Sequence, residues 1–450
     1  MEYPTLLVYL PTFIVLALAL WSHRAIESIL AGVVVGAIIV NPGNPLSIIS
    51  EGSLKVMMDD TVAWVILVCT CMGSLIALLI STGVAEAFTQ SSIRYIKSKK
   101  GALYVTWILG IFLFVDDYLN SLAAGAAMRQ ITDKYKTSRE MLAYIVDSTA
   151  APVSVLIPIS TWGVFFAALL EENGLAAEGQ GIWVYIQSIP YMFYAWAAFL
   201  LVPFVISGRF PLIGAMKAAE MRAASGQCVP PGFDNSAESR QLMGRKMDGK
   251  PRAWLFILPL LMLASSTMYF DLDFLRGVYF TLAVTIALMV FKKVLSLPEA
   301  INVCIEGFKM MIEPLTVLIC AFLLKEINDQ LGLAQQAIES LRPFVTAEYL
   351  PVLIFIVMAA VSFATGSNWG VFVIILPIVV SLGHGLDANM TIVIGATLSA
   401  STFGSHACFY SDATVLTAQA SGCTPFQHAY SQLPYALVAA TFAIIGYLII

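Results

Sequence analysis

The sequence predicts an all-α polytopic membrane protein built from two inverted repeats. Three observations carry that expectation: the composition, a set of long uncharged apolar runs, and a self-similarity at a fixed spacing. Of the 450 residues, 59% are hydrophobic and only 12% are charged, with a mean hydropathy of +0.83. A soluble chain carries roughly 25% charged residues, so composition settles the class before any motif is read. The formal net charge of −5 says little about partners when most of the surface meets lipid.

Residues 61–82, TVAWVILVCTCMGSLIALLIST, contain no charge, and a helix of that length crosses about 30 Å of hydrocarbon. Similar runs occupy residues 5–21, 25–40, 183–206, 253–269, 274–291 and 434–450. No Lys or Arg precedes the first of them, so it is expected to be a retained helix rather than a signal peptide. The seven cysteines show no metal spacing; Cys69 and Cys71 read as small apolar helix residues. No nucleotide-binding loop and no basic nucleic-acid patch occurs, so the expected partners are the bilayer and small solutes.

Laying the second half over the first aligns YLPTFIVLALAL around Pro11 with ILPLLMLASS around Pro259, and EGSLKVMMDD with EGFKMMIEP. Asp116 and Asp117 fall opposite Gly366 and Ser367, and DSTAAPVS opposite LSASTFGS. The predicted organisation is a first repeat over residues 1–207, a cytoplasmic linker over 208–252 and a second repeat over 253–450. The linker is set in the cytoplasm by its Arg and Lys residues, among them Arg209, Lys217, Arg222 and Lys250.

The basic residues also impose an unusual path. Arg94, Lys97, Lys99 and Lys100 precede the stretch 102–131, and Arg129, Lys134, Lys136 and Arg139 end or follow it. Both flanks read as cytoplasmic, so the stretch enters and returns without crossing: a re-entrant hairpin with DDYLNS (116–121) at its tip. Its counterpart is residues 350–382, with ATGSNWG (364–370) at the tip. Each hairpin is followed by a long segment interrupted by Gly, Pro, Ser and Thr, residues 140–170 and 387–420. Irregular backbone at that depth is tolerated where it lines a cavity. About ten spanning segments plus two hairpins are expected, and inverted repeats with broken helices are the architecture of secondary transporters.

Two hairpin tips and two helix breaks therefore converge. The candidate cation or proton ligands are Asp116, Asp117, Asn120, Asp147, Ser148, Thr149, Ser367, Asn368 and Asp412. The candidates for contact with an organic solute are Ser121, Ser154, Trp369, Ser401, Thr402, Ser405, His406, Phe409, Tyr410, Ser411 and Thr414. Oxygen ligands dominate, which suits a hard cation, and the C-terminal ends of half-helices favour positive charge. His406 is the one base expected among four carboxylates, so a cation, a proton or an amine fits better than an anion. A carboxylate able to hold either H+ or Na+ is the minimum chemistry of an antiporter. A structural reading stands beside each assignment. Asp116 and Asp117 fit helix caps; Ser148, Thr149, Ser401 and Thr402 fit helix-packing residues. Trp162 and Trp369 fit wedges between helices. His406 fits a packing residue, a proton carrier or a solute ligand.

At these residues the chain resembles the NhaC family of Na+/H+ antiporters. The matching stretches are VDDYLNSL (115–122), DSTAAPVSVLIPISTWG (147–163), TGSNWGVFVIILPI (365–378) and STFGSHACFYSDATVL (401–416). The resemblance runs nearly full length and implies an elevator-type homodimer of the bacterial inner membrane, with Na+ as coupling ion, H+ as a second candidate ion, and no bound cofactor. The last stretch departs from the family pattern Gly-Asp-His-Cys-Ser-Pro-Ile-Ser-Asp. Ser405 stands at the acid, and Ala407, Cys408, Phe409 and Tyr410 replace the next four residues after His406. The family name also covers carriers of organic solutes, so the alternative is Na+-driven symport or exchange of an amino acid or small organic acid. A channel is disfavoured by the inverted repeat. An intramembrane enzyme is disfavoured because no nucleophile or metal constellation accompanies His406 and Asp412.

Overall fold

A computed structural model describes residues 4–22, 25–84, 87, 96–114, 117–177, 179–233, 254–271, 273–333, 335–336, 345–366 and 369–450. Every regular element among them is helical, and the chain is an all-α polytopic membrane protein. Leu6, Phe13, Trp21, Tyr269 and Phe291 are at least 71% exposed, an apolar exterior that water would not tolerate and lipid requires.

Two bundles form, and each draws helices from both halves of the chain. The first contains α1 (Thr5–Ser22), α2 (Ala25–Val40), α3 (Pro45–Met58) and α4 (Asp60–Ser81). These pack with α13 (Trp254–Tyr269), α14 (Phe274–Phe291), α15 (Leu297–Met310) and α16 (Ile312–Leu331) of the second half. Helices α4 and α15 cross at glycines: a Cβ on Gly73 would lie 2.6 Å from the Gly307 carbonyl oxygen. Close backbone approach at small residues is how membrane helices gain packing without a hydrophobic driving force. Ser74 Oγ donates to the Cys304 carbonyl at 2.9 Å beside the crossing.

The second bundle holds the hairpins and breaks. Helices α5 (Lys99–Phe112) and α6 (Asp117–Lys134) fold back on each other. Lys99 Nζ donates to the Lys136 carbonyl at 3.0 Å, and Tyr135 Oη donates to that of Ile96. The two open ends therefore meet. Helix α5 rises only about 21 Å, too short to cross the hydrocarbon, so its tip ends inside it. The second pair, α17 (Leu350–Thr365) and α18 (Trp369–Gly385), closes likewise: a Cβ on Gly383 would lie 3.9 Å from Leu350 Cδ2.

The broken segments follow. In the first, α7 (Arg139–Asp147), α8 (Ala151–Leu156) and α9 (Thr161–Glu172) are separated twice, at 148–150 and at 157–160. Pro152 explains the first gap, because it lacks an N–H and its ring collides with the preceding turn. Pro158 lies in the second gap, an interruption beyond the one expected. The chain bends there by 43°. In the second broken segment, α19 (Met390–Ala407) and α20 (Asp412–Ser421) are bent by 41° without a proline. Hydroxyls substitute for the missing backbone bonds. Ser411 Oγ donates to the Ser405 carbonyl at 2.6 Å and Thr414 Oγ1 to that of Cys408 at 2.8 Å.

Fewer straight spans occur than the sequence suggests. Among the described residues, three helices are long and apolar enough to cross alone, and up to seven segments do so if each bent pair is one span. The run 183–206 is expected as a single helix. It divides instead into α10 (Gly181–Ser188) and α11 (Phe193–Ser207), bent by 55° at a 3₁₀ turn containing Pro190.

The linker carries its own helix, α12 (Gly214–Ala224). Glu220 accepts from the Ser138 N–H at 2.9 Å and pairs with Lys99 at 2.5 Å. Arg222 grips Glu140 through both nitrogens, at 3.0 and 2.7 Å. These contacts strap α12 to the base of the first hairpin and to the start of α7. The closing helix, α21 (Pro425–Ile449), begins on a capping box of Thr424 and Gln427.

Candidate functional site

The first hairpin meets the first break through Asn120. Its side-chain amide donates to the Gly110 carbonyl at 2.8 Å and to the Thr149 carbonyl at 2.6 Å. Ser154 Oγ donates to the Phe114 carbonyl at 3.1 Å, one residue beyond the end of helical hydrogen bonding in α5. Gly110 allows this approach, since a Cβ there would collide with the Thr149 side chain.

The second hairpin meets the second break through Tyr410, whose hydroxyl donates to the Ala364 carbonyl at 2.6 Å. Gly366 ends α17 with φ +66, a left-handed conformation that glycine adopts freely. A Cβ on Gly366 would lie 2.7 Å from the Tyr410 ring. The neighbouring Phe409 stacks on Phe426 at 5.5 Å between centroids. Tyr410 and Phe409 are at most 3% exposed and fill space between protein elements.

The two halves are joined across the centre. Tyr118 Oη donates a short hydrogen bond to Asp412 Oδ2, and Thr417 Oγ1 donates to Ser121 Oγ at 2.9 Å. Ser148 Oγ is hydrogen-bonded to His406 Nε2 at 2.9 Å, and Tyr194 Oη to His406 Nδ1 at 2.7 Å. Asp147 Oδ2 accepts from Gln432 Nε2 at 2.6 Å and lies 3.1 Å from His428 Nε2. The same Gln432 amide donates to the His406 carbonyl. Asp147, Ser148, His428 and Gln432 have no exposed surface, and Asp412 is 6% exposed.

Helix ends supply the electrostatics. Helices α7 and α19 direct their C-terminal, carbonyl-bearing ends at the centre, which favours positive charge. Asp412 opens α20, with Ser411 as its cap. The arginines that approach α20, Arg129 and Arg139, do so at Gly422, beyond its other end, about 15 Å along the helix. Asn120 Oδ1, Asp147 Oδ1, Ser405 Oγ and Gln432 Oε1 are buried without a hydrogen-bond partner among the described residues. Buried polar atoms are ordinarily bonded, so each such oxygen marks a place for a cation or water. Among the described residues no group of three or more His, Cys, Asp or Glu could hold a metal ion. A cation here would rely largely on neutral oxygens.

The sequence profile of the Na+/H+ antiporter family matches residues 176–450, more than half of the chain. The chain belongs to the Na+/H+ antiporter family. An uncharacterized protein of Haemophilus influenzae is 26% identical over 485 residues, covering 98% of this chain and 90% of its own length. A second Haemophilus influenzae protein, described as an uncharacterized Na+/H+ antiporter, is 30% identical over 105 residues, 22% of each chain. The NhaC resemblance agrees with this family, which is one of membrane transporters.

Beyond Phe409 and Tyr410, the expected residues separate by location and bonding. Asp117, Asn120, Ser121, Asp147, Ser148, Ser154, Ser405, His406, Ser411 and Asp412 sit at the tips and breaks, all buried. Thr149, Thr402 and Thr414 spend their hydroxyls on carbonyls of their own segments. Ser401 is buried in α19, nearly two turns before the break. Asp116, Ser367 and Asn368 lie outside the described residues, as does the side chain of Trp369, the first residue of α18.

Sequence reasoning named His406 as the one base near the carboxylates. His428 is a second, and it contacts Asp147 directly. Tyr118, Tyr194 and Gln432 were also missed. For His428 and Gln432 a signal existed: two large polar residues four apart in a largely apolar helix share one face.

Proposed function

We propose that this chain exchanges Na+ for H+ across the inner membrane of a bacterium. Na+ is the coupling ion and H+ the counter-ion, and the chain works as a homodimer of elevator type. The observation that carries the exchange is the pair of buried carboxylates, Asp147 from the first half and Asp412 from the second. They lie among hydroxyl, amide and carbonyl oxygens at the ends of half-helices, with the neighbouring arginines directed at the far end of α20. Membership of a Na+/H+ antiporter family supports the choice of ions. The elevator motion is supported by the separation into a bundle of α1–α4 with α13–α16 and a bundle that carries both hairpins and both breaks.

In this reading the tips and breaks move together against the first bundle, carrying either Na+ or H+. Both cannot be held at once by the same carboxylate oxygens, and that exclusivity couples the two fluxes. The test uses purified protein in vesicles, with radioactive Na+ uptake driven by an outward proton gradient and an internal pH dye. Uptake and proton release should be stoichiometrically linked, and Asp147→Asn and Asp412→Asn should each reduce both to the protein-free background. Linked fluxes that persist at wild-type rates in both variants would remove these carboxylates from the exchange.

A further inference from the structure

Helix α21 contributes two side chains that belong to neither hairpin nor break. His428 and Gln432 are one turn apart and wholly buried. The Gln432 amide nitrogen has two hydrogens, and both are engaged: one by Asp147 Oδ2, the other by the His406 carbonyl. Those acceptors come from different halves. Asp147 is the last residue of α7, and His406 lies in the last turn of α19.

An amide group is planar, so holding its nitrogen at two acceptors also fixes its oxygen. Among the described residues Gln432 Oε1 has no hydrogen-bond partner, and neither has Asp147 Oδ1. Asp147 Oδ2 is occupied by both His428 and Gln432. The two open oxygens thus belong to groups joined by one hydrogen bond, one anionic and one neutral. Neither carries a donor hydrogen, so an anion has nothing to bind there. Hard cations take such oxygen pairs.

We infer that Gln432 is a Na+ ligand through Oε1, beside Asp147 Oδ1, and that its amide nitrogen aligns the two helix breaks around that ion. The inference rests on the proposed function only for the identity of the cation. It makes α21 part of the ion site and gives one side chain hold of both halves.

The test is thermal unfolding of the purified full chain in NaCl, LiCl or choline chloride, compared with Gln432→Met and Gln432→Asn. Methionine fills similar volume with neither amide atom, and asparagine keeps the amide one methylene short. A ligand that binds the folded state raises its melting temperature by mass action. The wild-type protein should show a Na+-dependent rise. In Gln432→Met the half-saturating Na+ concentration should increase at least tenfold, and Gln432→Asn should alter the preference between Li+ and Na+.

A folded Gln432→Met with wild-type half-saturation would overturn the inference. So would a melting temperature lowered equally in all three salts with half-saturation unchanged, the mark of a structural role alone. Should Gln432→Met not fold, wild-type half-saturation and ion preference in Gln432→Asn would overturn it as well. A Na+ shift present in the wild type and lost in the variants supports the ligand even if vesicles show no proton exchange. Absence of any Na+ shift in the wild type overturns it whatever the vesicles show.

Discussion

Ser148 and His406 are hydrogen-bonded at 2.9 Å although 258 positions separate them in the chain. The second ring nitrogen of His406 is held by Tyr194, so the imidazole bridges the first break, α11 and the second break. Replacing it by an apolar side chain leaves two buried hydroxyls without this partner, at about 1–3 kcal/mol each. His406→Leu should therefore lower the unfolding free energy by about 2–6 kcal/mol, measured by denaturation in detergent. Ser148→Ala should cost less, since the Tyr194 bond survives. An unchanged melting temperature in His406→Leu would contradict the bridging role.

Gly110 and Thr149 make a second test of how the first hairpin seats on the break. The Thr149 side chain occupies the space a Cβ on residue 110 would need. Gly110→Ala should destabilise by about 1–3 kcal/mol through overpacking. Thr149→Ala in the same chain should recover part of that loss, a non-additivity expected of residues in contact. Full additivity of the two substitutions would show that they do not meet.

Hairpin topology is open to labelling. In a background without the seven native cysteines, Ser98→Cys and Lys136→Cys lie at exposed positions at the closed base of α5 and α6. An impermeant maleimide added from one side of oriented vesicles should modify both or neither. Labelling of one from each side would mean that the pair crosses the bilayer.

Beside the α12 strap, Cys228 donates to the Asp133 carbonyl at 3.5 Å. Burial pushes the Cys228 thiol above its ordinary range, and Asp133 adds to the shift, against Arg139 and Lys99. The thiolate is the reactive form, so a raised pKa means less of it near neutral pH. In a variant keeping only Cys228, the rate of iodoacetamide alkylation should reach half its plateau above pH 8.5, roughly where a free thiol is half ionised. A midpoint at or below that pH would refute the shift.

The class, the hairpins and the breaks were legible because each leaves a local mark. Charge-free length marks a span, Lys and Arg on both flanks mark a hairpin, and Pro152 or a Ser/Thr/Gly cluster marks a break. The bend within 183–206 was less visible, because Pro190 lies inside a run whose hydropathy stays high. The centre of the site was half legible. Asp147, Ser148, His406 and Asp412 stand in motifs of small polar residues, which draw attention at membrane depth. Gln432, His428 and Tyr194 do not. They reach the centre from helices that look ordinary alone, and their roles appear only when helices far apart in sequence are packed together.

The crossing of Gly73 and Gly307 has a consequence for how the two bundles can behave. Helices whose main chains touch have no side chains between them to act as bearings, so the pair can neither roll nor slide without losing contact along its length. A pair locked in this way suits a bundle that holds its shape as one body. A single methyl group at either glycine would pry this crossing apart.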